Sequence, residues 1–214
     1  MGKLEQLRNI IDTALQGAGK SKLTNSVIDS VGGFSSPNVR HLLNNLGAIS
    51  KHYYEIGSHV GCSLISTVYG NNLESAIGCD NFSLFSSEEH DSKKEFTTNC
   101  ERWISGKYNL LQKDCFLVTK EDLPNPIDLF FSDGAHDFDS QKNAILYNAR
   151  FLANEGIIVV DDFAWEEPNG GTMKGLKQSG LEIVYAATLD SGIRSDCSER
   201  GFWNGIGIFL VSKV

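Results

Sequence analysis

The sequence has no long apolar run, no paired cysteines, no excess of basic charge and no complete phosphate loop, since Gly19-Lys20-Ser21 has Ala14 where the Gly-x-x-x-x-Gly-Lys-Ser/Thr pattern needs its first glycine. Each absence excludes something. No stretch approaches the ~20 apolar residues that cross a bilayer. Met1 to Leu15 is an amphipathic polar pattern without the apolar core of a signal peptide. A cytoplasmic protein with no membrane partner is therefore expected. The five cysteines (Cys62, Cys79, Cys100, Cys115, Cys197) are scattered and odd in number, with no Cys-x-x-Cys spacing. They read as free thiols in a reducing compartment, and a zinc site is disfavoured. A net charge of −8 argues against sequence-independent nucleic-acid binding, which needs a basic surface. No repeat or low-complexity segment interrupts the 214 residues. That length suits one domain with a helical appendage.

What is present is an alternation of strand and helix patterns. Helical spacing covers residues 3–16, a short helix fits Asn25 to Ser30, and Ser36-Pro37 caps a helix that stops at Gly47. A strand at 52–56 leads into a helix at 62–69. A strand at 74–79 precedes a helix starting at Ser86-Ser87-Glu88-Glu89 and running to Ile104. Strands follow at 108–111 and, with continuous apolar character, at 127–131. A helix spans 140–153, stopped by Asn154-Glu155-Gly156, and a buried strand covers 157–160. Pro168-Asn169-Gly170-Gly171 reads as a flexible loop before a helix at 172–179. Strands at 181–187 and 202–211 are separated only by a polar loop at 189–200, so they form an antiparallel pair. The pattern predicts an α/β fold, a Rossmann-like three-layer αβα sandwich. Its sheet has seven strands, mostly parallel, with the last antiparallel. Residues 1–34 form an N-terminal helical lid and 35–214 the main domain.

The first five strands end in acids: Glu55 before Gly57, then Asp80, Asp114, Asp133 and the pair Asp161-Asp162. In a parallel sheet these ends share one edge, where ligands bind. The stretch His52 to Ser63 reads as strand, glycine turn and helix start. Gly57 permits the sharp turn, and Gly61 opens space at the first helical turn. Ser58 lies between them and His59 lines the pocket. Backbone N–H groups at a helix start suit an anion. Asp80 lies 25 residues beyond Glu55, close to the offset of an acid that holds ribose hydroxyls, and Asn81 follows it. Asp114 sits where an acceptor reaches an exocyclic amine. A rim this acidic disfavours a phosphate-rich ligand. It suits a cationic nucleoside such as S-adenosylmethionine (SAM).

Asp133, Asp161 and Asp162 end neighbouring strands, so their carboxylates converge. Uncompensated carboxylates that close repel, and one takes up a proton unless a cation sits there. Oxygen donors suit Mg²⁺, Mn²⁺ or Ca²⁺. Asp161 and Asp162 cooperate only if the chain bends at the strand end. A bound cation lowers the pKa of a substrate hydroxyl, and His136 is placed to take the proton, making His136 and Asp133 the candidate catalytic pair. Trp165 and Trp203 are candidate walls of the acceptor site.

Over residues 35–211 the chain resembles class I SAM-dependent methyltransferases, closest to the methyltransferase 24 type with Asp-Gly-x-His after the fourth strand and Asp-Asp after the fifth. The run from Glu55 to Ser63 is similar to the cofactor loop of catechol O-methyltransferase relatives. The resemblance implies that this loop and Ser63 hold the methionine carboxylate, that Asp80 holds the ribose, and that Asp114-Cys115 lies by the adenine. It implies Asp133, Asp161 and Asp162 as metal ligands. Many relatives carry a second acid where this chain has Ala135. Either His136 is the base, or the metal alone activates the hydroxyl. The expected function is O-methylation of a small-molecule acceptor, with loops 165–171 and 189–200 and residues 1–35 as specificity elements. A homodimer through the N-terminal helices is left open. The rivals are an NAD-dependent oxidoreductase, disfavoured by His59 where a dinucleotide turn wants glycine, and a non-catalytic SAM-binding module.

Overall fold

A computed structural model describes residues 2–17, 19–87 and 90–213. Seven strands form one sheet in the order β3-β2-β1-β4-β5-β7-β6. They are β1 (His52–Ile56), β2 (Ser75–Cys79), β3 (Asn109–Leu111), β4 (Ile127–Ser132), β5 (Leu152–Val160), β6 (Leu181–Leu189) and β7 (Ile206–Lys213). The first five run parallel, and β7 is antiparallel to both β5 and β6.

Helices cover both faces. On one lie α1 (Lys3–Leu15), α2 (Asn25–Ser30), α3 (Pro37–Ala48), α4 (Cys62–Val68) and α5 (Ser92–Ile104); on the other, α6 (Phe138–Asn148) and α7 (Glu166–Gln178). Strand alternation divides the core between them. Tyr53, Leu129, Phe131 and Val159 pack with α1, α3, α4 and α5, while Tyr54, Ile56, Phe130 and Ile158 face α6 and α7. Leu7, Ile11 and Ala14 of α1 belong to the first of these cores.

Several expected boundaries shift. Pro168 to Gly171 is not a loop but the first part of α7. Proline is tolerated in a first helical turn. The glycines let α7 approach α6: a Cβ on Gly171 would stand 2.5 Å from the Phe138 carbonyl oxygen, and one on Gly175 would stand 2.8 Å from that of Lys142. Gly47 likewise does not stop α3, because its missing side chain admits the Thr67 carbonyl, 2.4 Å from a would-be Cβ. The helix expected from Ser86 starts at Ser92, with Asp91 accepting from the Lys94 N–H at 2.9 Å. Glu88 and Glu89 lie outside the described residues. The helix expected to reach 153 ends at Asn148, and Asn154 to Gly156 belong to β5, where Glu155 and Gly156 pair with Ser212 and Val211. The strand expected from 202 begins at Ile206.

Buried Arg40 fixes the N-terminal segment. Its guanidinium donates to the carbonyls of Val27, Ile28 and Val31 and to Ser66 Oγ. The chain beyond α2 is thereby held against α4, so closely that a Cβ on Gly33 would meet Cys62 Cβ at 2.6 Å.

Candidate functional site

The strand ends are level. Ile56 pairs with Cys79 and with Ser132, and Ser132 pairs with Val160. The next residues, Gly57, Asp80, Asp133 and Asp161, therefore emerge side by side. They border a cavity of about 840 Å³ above the sheet edge. The structure brings Gly57, Ser58, His59, Ser63, Asp80, Asn81, Asp114, Cys115, Asp133, His136, Asp161 and Asp162 into its lining. Glu55 and Gly61 lie behind it.

Glu55 shares a strand face with Tyr53, whose hydroxyl donates to its Oε2. Its carboxyl is fully buried, and burial pushes its pKa up to about 7, opposed by the hydroxyls of Tyr53, Ser58 and Ser63. Gly57 has φ 83, and a Cβ there would lie 1.7 Å from the Asp133 carbonyl oxygen. No other residue fits. His59, two residues on, also holds the left-handed conformation, at φ 44. The turn is pinned by Asp80, whose Oδ2 accepts the His59 N–H at 2.8 Å and whose Oδ1 accepts the Phe82 N–H at 2.7 Å. Asn81 accepts from the Ser83 N–H, and Asp114 accepts from the Phe116 N–H, capping the short 3₁₀ turn that contains Cys115.

At the other side of the floor, acids crowd together. His136 Nε2 lies 3.0 Å from Asp162 Oδ2 and 3.6 Å from Asp133 Oδ1. Asp133 and then Asp162 hold the His136 pKa above its usual value, against burial. Burial raises the Asp133 pKa, with the Asp162 charge adding to it and His136 opposing it. Asp133 still shows 29% of its side chain, so its burial is enclosure by the cavity walls rather than close packing. Asp161 is raised well above the usual carboxylate range by burial, then by the charges of Asp133 and Asp162. The expected bend is present: Asp162 has φ 52, and its N–H turns back onto Asp161 Oδ1 at 3.0 Å.

Ligand atoms of Asp133, His136 and Asp162 fall within 4.8 Å of one another, a set that suits a divalent cation. This group contains His136 where the sequence reading put Asp161. Sequence reasoning missed Asn204, which donates to Asp162 Oδ1 at 2.6 Å and accepts from the Ser195 N–H at 2.9 Å. It stands 42 residues from its partner, with no local signal to mark it.

Two features indicate a resident ligand. His59 Nε2 and Trp165 Nε1 are buried without a partner at the cavity, and such groups are costly unless something completes them. Moreover, every non-glycine residue with positive φ among the described residues lines this cavity: His59, Phe82, Phe85, Asp162, Ser195 and Trp203. Strain gathered at one place marks a functional site.

A family model described as a methyltransferase domain, methyltransferase 24, matches residues 54–163. The chain belongs to that family. It is thus a class I SAM-dependent methyltransferase. No curated protein matches the chain in sequence. Among solved structures, the methyltransferase is similar to cofactor-bound Rv0187 from MTB, at 18% identity over 96% of this chain and 91% of that one, with a TM-score of 0.59. It is similar to the O-methyltransferase from Bacillus cereus in complex with SAH, at 15% identity over 100% and 93%, TM-score 0.59. It is also similar to precorrin-6y C5,15-methyltransferase from Geobacter metallireducens, at 15% identity over 83% and 89%, TM-score 0.54. These likenesses show the fold. No helix among the described residues is long and apolar enough to cross a membrane.

Proposed function

We propose that this methyltransferase moves the methyl group of SAM to an oxygen of a small-molecule acceptor, with a divalent cation assisting. The convergence of Asp133, His136 and Asp162 on the cavity floor carries the reading. A methyl acceptor bearing a hydroxyl must lose its proton, and this group of charges is where a proton or a cation would be held.

On the cofactor side, the turn from Gly57 to Ser63 would hold the methionine end, with the Ser58 and Ser63 hydroxyls lining the cavity there. Asp80 keeps lone pairs free for ribose hydroxyls after its two backbone bonds, since a carboxylate has about four acceptor sites. Asp114 and Cys115 would border the adenine. Glu55 acts from behind the turn, through Ser58 and Ser63.

On the acceptor side, His136 Nε2 takes the hydroxyl proton, and Asp133 and Asp162 stabilise the resulting imidazolium. The acceptor oxygen attacks the methyl carbon in line. The new O–CH₃ bond forms as the S–CH₃ bond breaks, and the sulfonium leaves as a neutral thioether. Holding the two partners in line supplies much of the acceleration. Asp133 and Asp162, with Asp161 beside them, would hold the cation, which supplies Lewis-acid lowering of the hydroxyl pKa when bound and leaves the His136 nitrogen free to take the proton. Asn204 orients Asp162. The segment at 33–35 and the loop at 190–203 serve as the cover of the acceptor site, supported by Gly33, Phe34, Ser195 and Trp203 at the cavity wall.

The test is SAH release from SAM on a panel of hydroxyl acceptors, with and without EDTA. Loss on chelation and recovery with Mg²⁺ is expected. Unchanged turnover removes the cation and leaves His136 as sole base. Calorimetric titration with SAM and with NAD checks the cofactor, and micromolar NAD binding without SAM binding would overturn the reading.

A further inference from the structure

Four rings from four separate segments meet at the cavity mouth. Phe34 stacks on His59 at 5.7 Å with the planes 6° apart. Phe85 lies 5.1 Å from His59 and 5.6 Å from Phe34, and Trp203 lies 6.3 Å from Phe34. Phe34 and Phe85 are 57% and 62% exposed, and their neighbour Leu84 is 66% exposed. Contiguous apolar surface of this kind marks a binding site. Its backbone is strained as well, since His59, Phe85 and Trp203 all hold the left-handed conformation.

Charge narrows the ligand further. The cavity carries five aspartates. Its one lysine, Lys113, is held by Asp122 at 2.8 and 2.9 Å. Arg194 sits over the Trp165 ring at 5.7 Å but is exposed and does not line the cavity. Burial lowers the pKa of His59, and His136 is flanked by two carboxylates. Apart from a cation held by the acid group itself, an anionic acceptor would find no basic side chain free to receive it, and several aspartates that oppose its charge.

We propose that the acceptor is a flat, apolar hydroxyl compound carrying no anionic group, whose ring is received among Phe34, Phe85 and Trp203 while its hydroxyl points to the acid group. The proposal rests on the oxygen-transfer reading above and adds the class of molecule that the mouth selects. Sugars, which lack a flat apolar face, and phosphorylated or carboxylated phenols are the classes it rejects.

The experiment measures binding to the full chain saturated with SAH, by tryptophan fluorescence and calorimetry. The probes are 2-naphthol, its 6-sulfonate and glucose. Naphthol should bind at least about 10-fold more tightly than either of the others. Phe34→Ala and Phe85→Ala should each weaken naphthol by about 5-fold and leave SAH affinity within about 2-fold. Both side chains are exposed, so the folds should survive, and Phe85→Leu separates loss of the ring from loss of apolar volume. Equal or tighter binding of the sulfonate or of glucose overturns the proposal. So does a loss of SAH affinity without a loss of naphthol affinity, which would assign the mouth to the cofactor. Comparing methyl transfer to naphthol and to the corresponding amine separates the two claims. Transfer to the amine alone overturns oxygen transfer, while the binding series still judges the mouth.

Discussion

The two sides of the cavity floor are built from the same strand ends yet use their polar groups in opposite ways. At β1 and β2, and beyond β3, the carboxylates are satisfied locally. Asp80 fastens the glycine turn and the following loop, and Asp114 caps its own turn. That side holds its shape through these bonds and leaves His59 Nε2 without a partner. At β4 and β5, the carboxylates have mostly one another. Burial and the neighbouring carboxylates oppose ionisation of Asp133 and Asp161, with one histidine and one amide among them. A cradle needs rigidity before binding, whereas a crowded charge group is where a reaction gains by moving a proton or holding an ion. Catalytic groups are found where environment and neighbours displace pKa values.

Four substitutions test this contrast, from the largest expected effect downwards. Gly57→Ala joins the two sides destructively, because its Cβ would overlap the Asp133 backbone at a left-handed φ. A loss of at least about 3 kcal/mol in thermal unfolding is expected, with SAH binding gone. A protein of unchanged Tm would refute the shared backbone contact.

Glu55 tests the support behind the cradle. Its folded pKa, about 7, exceeds the ordinary 4.5, so the folded state binds a proton more tightly than the unfolded chain. Stability is therefore full below about pH 4.5 and declines as pH rises to about 7, by roughly 3 kcal/mol. In Glu55→Gln that slope should flatten in denaturant titrations across this window.

Asp162→Asn breaks the acid group while the neighbouring amide can still bond to it. Turnover should fall by about 100-fold, with SAH affinity changed less than about 3-fold. Equal losses in both would mean that the two sides do not divide the labour. Asp80→Ala is the mirror experiment. Removing two backbone acceptors should weaken SAH about 10-fold by calorimetry and leave the apparent metal affinity unchanged.

Much of this was legible in the chain itself because parallel strands place their ends on one edge. Knowing that Glu55, Asp80, Asp133 and Asp161 close successive strands was enough to gather them. His59 was legible in part: a residue stands where a dinucleotide turn wants glycine, and the structure shows it in a conformation glycine prefers. What escaped was tertiary. Pro168 and Gly170-Gly171 signal a loop locally, and only the closeness of α6 reveals them as a helix made for tight packing. Asn204 and the Phe34 and Phe85 rings reach the cavity from distant segments, and no periodicity announces such a meeting.

The six side-chain-bearing residues held in left-handed backbone have a bearing on engineering this enzyme. Each is a position where glycine would relax the main chain, at the cost of a looser unfolded chain and of the side chain's own contacts, and each borders the cavity. Replacing Phe85, Ser195 or Trp203 by glycine to relieve that backbone would remove, with the strain, the surface that meets the acceptor.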